Sequence, residues 1–92
     1  MAYLVGLMEH GDGVDAPFDH RRLGLDHFAL HVPERSDLDE WVEHLDALGI
    51  THSGVQETPY SDTICFRDPD GIPLELACPK LDFWVALLSR EA

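Results

Sequence analysis

Positive charge is what this sequence has least of. Six Lys and Arg stand against 18 Asp and Glu, for a formal net charge of −12. Phosphate backbones and anionic bilayers bind through clustered Lys and Arg, so neither a nucleic acid nor a membrane surface is an expected partner. Long apolar runs are also missing: no stretch of about 18 residues could cross a bilayer as a helix. The opening "MAYLVGLMEHGDG" has neither the basic start nor the small-residue cleavage site of a secretory signal, and a cytoplasmic location is the expectation. Cysteine is scarce. Cys65 and Cys78 form no C-x-x-C pair and no zinc-type spacing, which leaves reduced, structural thiols as the reading.

What remains is an ordinary globular composition, 45% hydrophobic and 26% charged, over 92 residues. One domain is the natural count. A chain this short buries only about 60–65% of its unfolded surface, so its core is thin and a partner chain would help it.

The apolar "AYLVGLM", residues 2–8, reads as an extra N-terminal strand. Residues 9–24 hold three glycines, a proline and mixed charges, and read as a linker. "LDHFALHV", ended by Pro33, alternates as a strand with Phe28, Leu30 and Val32 on one face and His27, Ala29 and His31 on the other. "SDLDEWVEHLDALG" is a helix with Ser36 as N-cap, an apolar stripe of Leu38, Trp41, Val42, Leu45 and Leu48, and Gly49 as a left-handed stop. Two strands follow, from Thr51 and over "DTICFRD". The "DPDG" turn leads into a returning strand, "IPLELAC". Residues 82–91 read as a helix capped by Asp82. Phe83, Trp84, Val85, Leu87 and Leu88 wrap most of its circumference, which points to an oligomer interface. The fold expected is α+β: one βαβββ module (25–79) with a mixed sheet, plus the extra strand and the C-terminal helix.

Glu75 is the anomaly, a carboxylate between Leu74 and Leu76 in an otherwise apolar strand. If the leucines pack beneath the helix, Glu75 faces the other way. The face that carries Phe28, Leu30 and Val32 must also meet the helix, so His27, His31 and Glu75 share the opposite face. Imidazole and carboxylate together suit zinc, iron, manganese or nickel, although two such residues are too few for a closed site. A solvated pair of histidines and an edge-strand charge that discourages aggregation explain the same pattern. Arg67 alternates onto the face of Cys65; it lines a cavity and pairs either an anionic substrate or an acid of the adjacent turn. His10, His20, His44 and His52 read as solvated, and Trp41 as core.

"GLDHFALHV", then a capped helix, then "FRDPDGIPLEL", resembles the vicinal oxygen chelate superfamily of glyoxalases, bleomycin-resistance proteins and extradiol dioxygenases. The resemblance covers about Leu23 to Pro79. It implies βαβββ modules joined in pairs around a cupped sheet. It also implies metal ligands at His27 and Glu75; in a metal-dependent enzyme Glu75 would double as the catalytic base once displaced from the metal. Most of a first module is missing. "YLVGLMEH" resembles that module's last strand, with Gly6 where a ligating glutamate would stand. A four-ligand site would then need two chains, each giving His27 and Glu75 across a two-fold axis. Three functions stay open: a divalent-metal enzyme (lyase, isomerase or dioxygenase) acting on a small molecule at a site shared across a homodimer, a metal-free small-molecule binding module, or a degenerate module without chemistry of its own.

Overall fold

The computed structural model describes residues 5–90. Their order is β1 (Phe28–His31), α1 (Arg35–Ala47), β2 (His52–Glu57), β3 (Ser61–Arg67), β4 (Pro73–Pro79) and α2 (Leu81–Ser89). The four strands form one mixed sheet in the order β1-β4-β3-β2. β1 runs parallel to β4, and the other two pairings are antiparallel. This is the α+β, βαβββ arrangement with a C-terminal helix. Of the strand read at residues 2–8, residues 2–4 lie outside the described residues. Val5–Met8 are exposed and join no ladder of this sheet.

Strand alternation divides the sheet into two unlike faces. On one, Ile64 and Leu76 meet Leu38 and Leu45 of α1, and Val32, Val42, Ile50, Val55, Phe66 and Cys78 pack around them. Leu38 and Leu45 are buried and Val42 partly so, a narrower stripe than the sequence suggested. Trp41 and Leu48 fall on its flanks and are exposed, because a single helix over four strands has no second layer to cover its sides. Trp41 instead stands edge-on to His44, with ring centroids 5.5 Å apart.

Helix α1 starts earlier than its serine suggested. Glu34, not Ser36, is the N-cap, and its backbone N–H donates to the Asp37 carboxylate at 2.9 Å. The first turn is thus held by an acid three residues on, at the end of the helix where negative charge is favoured. The C-terminus closes as Gly49 implies. Gly49, at φ +71°, donates to the Asp46 carbonyl, and Ile50 donates to the Leu45 carbonyl while packing on the core. Asp62 is buried on the same side of the sheet. Arg35 Nε lies 3.5 Å from it and Lys80 Nζ 3.3 Å from it, so one carboxylate ties the start of α1 to the entry of α2.

The turn before β4 is held by Asp68, whose side chain accepts from the N–H groups of Asp70 and Ile72, with Gly71 at φ +83°. α2 is capped by Lys80, not Asp82, which sits in its first turn. The helix is far from buried: Phe83 is half-covered and every other residue of it is exposed in the single chain.

Candidate functional site

The other sheet face carries no helix along most of its length, and the register places its side chains in rows. Ala29, Glu75 and Cys65 lie abreast on β1, β4 and β3, with His31, Ala77 and Thr63 in the row beyond. His27, just before β1, falls in the row on the other side, level with Pro73 and Arg67. His27 and Glu75 therefore come together: Nε2 of His27 lies 4.0 Å from a carboxylate oxygen of Glu75. Glu75 retains about 27% of its side-chain exposure and His27 about 49%, so both are open to a ligand.

Asp26 completes the arrangement, and sequence reasoning missed it. Its carboxylate lies 2.8 Å from Nδ1 of His27. The hydrogen bond that the ring donates to Asp26 is the largest influence and raises the His27 pKa above its ordinary value; desolvation opposes it, and the negative charges of Asp26 and Glu75 add to the rise. In the neutral ring, a proton kept on Nδ1 by Asp26 leaves the Nε2 lone pair facing Glu75. A carboxylate behind the imidazole is the usual device for orienting a metal-binding histidine. The signal available was the adjacent "DH". It was obscured because strand alternation, which would send neighbours to opposite faces, has not begun at residue 26.

An imidazole nitrogen and a carboxylate oxygen are donors that zinc, iron, manganese and nickel accept. The two donors stand 4.0 Å apart, wider than the roughly 3.4 Å between neighbouring donors of a tetrahedral ion, so the side chains would have to close slightly to share one. The donor set fits, but as half of a site. Among the described residues no three His, Cys, Asp or Glu side chains converge as a metal ion requires.

His31 does not join this pair. It lines a cavity of about 550 Å³ that also takes in Glu75, Ala77, Tyr60, Leu81 and Trp84. Arg67 lines a separate cavity of about 380 Å³ with Cys65 and His52. It reaches the Gly71 carbonyl at 2.7 Å, and no ion pair to an acid of the turn forms among the described residues. The Cys65 thiol is pushed above its ordinary pKa by burial and by Glu75, which disfavours the thiolate and suits a structural role. His52 is bonded, not solvated: one ring nitrogen lies 2.7 Å from Asp46 and the other accepts from the Gly54 N–H. A register shift after His52, with Gly54 at φ +71°, turns the chain back onto that ring.

A mixed four-stranded sheet with one covered face, and an imidazole and a carboxylate meeting on the bare one, defines an α+β module of a recognisable kind. The family model of the glyoxalase/bleomycin resistance protein/dioxygenase superfamily matches residues 6–76, and the chain belongs to that superfamily. Among solved structures, it is similar to a glyoxylase/bleomycin resistance protein/dioxygenase domain from Frankia sp. EAN1pec. There the identity is 37% and the TM-score 0.70, over 77% of this chain and 56% of that one. It is also similar to a lactoylglutathione lyase from Agrobacterium tumefaciens, at 30% identity and a TM-score of 0.57, over 65% of this chain and 46% of that one. A glyoxalase family protein from Enterococcus faecalis gives 33% identity and a TM-score of 0.52, over 61% and 44%. The chain thus spans about half the length of the solved chains it matches. No curated protein matches it.

Proposed function

We propose that the chain supplies one half of a divalent-metal site that acts on a small molecule, and that a second copy supplies the other half. The observation that carries this is the Asp26–His27–Glu75 line: an imidazole fixed from behind at 2.8 Å, with its free nitrogen 4.0 Å from a carboxylate on a bare sheet face. Two donors per chain make four across a two-fold axis. β1 is an edge strand, so the sheet can be extended by a partner directly beside His27. When bound, a divalent ion would polarise two neighbouring oxygens of the substrate as a Lewis acid.

The chain's own residues have distinct tasks in this reading. Asp26 fixes the ring of His27, His27 presents Nε2, and Glu75, once displaced from the ion by substrate, would accept a proton from the substrate carbon next to those oxygens. The activity is then that of a lyase, isomerase or dioxygenase, the reaction classes grouped in this superfamily. The lactoylglutathione lyase among the similar structures supports the first. A second reading, metal-free binding of a small molecule, is favoured by the cavity between Glu75 and Trp84, which needs no ion to be formed.

Metal content of the purified protein decides between them, measured by elemental analysis beside the oligomeric mass of the same sample. The expected result is a dimer with about one ion per two chains, lost in both His27→Ala and Glu75→Ala. Absence of binding after reloading with zinc, manganese, nickel or iron(II) would overturn the metal reading and leave the binding module.

A further inference from the structure

We infer that the cavity between the bare sheet face and α2 is a seat for a planar aromatic molecule without negative charge. Its floor is Ala77, 4% exposed and small enough to leave the space open. Its wall is Trp84, whose indole N–H donates to the Tyr60 carbonyl at 3.1 Å. Tyr60 and Phe83 meet that indole edge-on, with centroids 6.5 and 5.4 Å away. The ring is held in place yet remains 40% exposed. A flat apolar surface fixed in advance costs little ordering on binding. The volume, about 550 Å³, is that of a small-molecule site.

Charge settles which aromatic molecules fit. Glu75 is the carboxylate of the lining, beside His31 and Tyr60, no Lys or Arg contributes to it, and the whole chain carries −12. An anionic ligand is repelled on approach and at the wall. Pro79, Leu81 and Trp84 also lie beyond residue 76, where the family match stops. Because Glu75 belongs to both the cavity and the candidate metal pair, the inference rests on the proposed function in one respect. It names the body of the substrate that would present its oxygens to His27 and Glu75.

Two dyes with one ring skeleton test it, neutral N-phenyl-1-naphthylamine and its anionic counterpart 1-anilinonaphthalene-8-sulfonate. Each is titrated into the full, chelator-treated chain, with dye emission and quenching of tryptophan fluorescence as readouts. The neutral dye should saturate at one per chain and bind at least about tenfold more tightly than the sulfonate, a gap that narrows with salt. Ala77→Leu, which fills the floor, and Trp84→Ala should each weaken it about tenfold or more. Trp84→Phe should keep most of the affinity, and Val85→Ser, on the exposed part of the same helix, all of it. Loss in Val85→Ser without loss in Ala77→Leu would assign the dye to the bare helix surface and overturn the inference, as would equal affinity for the sulfonate or no saturable binding. Since the protein is stripped of metal, failure of the metal reading leaves this result standing, and failure here leaves the metal content untouched.

Discussion

The two faces of the sheet are made from the same strands by the same alternation, yet they solve opposite problems. The face under α1 closes Leu38, Leu45, Ile64 and Leu76 into a dry cluster. The other leaves His27, Glu75, His31 and Cys65 in reach of solvent. One residue of shift in β4 would exchange them, placing Glu75 under the helix and Leu74 and Leu76 in water. Stability is thus concentrated on one side and the candidate site on the other, and substitutions should separate cleanly by face.

The sharpest break between the faces is expected from Leu38→Ala, which empties a fully buried position of the small core. About 2–5 kcal/mol should be lost in urea unfolding, a large share of what a domain this size has. Gly49→Ala, which forces a side chain into φ +71° at the end of the core-facing helix, should cost about 1 kcal/mol in the same assay. Glu75→Gln, on the open face, should leave the unfolding midpoint nearly unchanged while abolishing metal binding. A midpoint that falls as far as in Leu38→Ala would break the comparison. The same variant should speed alkylation of Cys65 a few-fold at pH 8, because Glu75 is one of the two influences that raise that thiol.

The smallest effect is on protons. The His27 imidazole should titrate above its ordinary value in an NMR pH series, and Asp26→Asn should bring it down. The sign follows from linkage: the stability that the charged ring contributes is complete below the unfolded value of about 6.5 and disappears as pH rises through the raised folded value. Metal binding runs the other way, since a ligating imidazole must be neutral, and should strengthen over that same interval. A His27 midpoint indifferent to Asp26→Asn would remove the orienting role given to that carboxylate.

Period-two alternation made the faces legible before any coordinates. Leu74 and Leu76 flanking Glu75 sufficed to place the carboxylate opposite the helix, and the residues of β1 then had to follow. The "DPDG" turn and the glycine stop of α1 were equally plain, because few residues adopt those dihedrals. What stayed hidden depended on contacts between segments. Ser36 looked the better cap, yet Glu34 and Asp37 close the helix together. Trp41 matched the apolar stripe but lies at its edge, since stripe width depends on how much sheet there is to cover. His52 read as solvated, although Gly54 inside a strand pattern was a cue to the bend that brings it onto its partners. Asp26 lay just outside the regular strand, where no periodicity ranks it.

The parallel pairing of β1 with β4 has a kinetic consequence. Half of the chain lies between Phe28 and Leu74, whereas β2, β3 and β4 follow one another through short turns. Closing the longer loop costs more chain entropy and brings its reward last, so the hairpins with α1 should assemble first and β1 should dock onto a sheet already formed. His27 travels with β1 and Glu75 waits on β4. Until β1 docks, the two candidate donors are held apart.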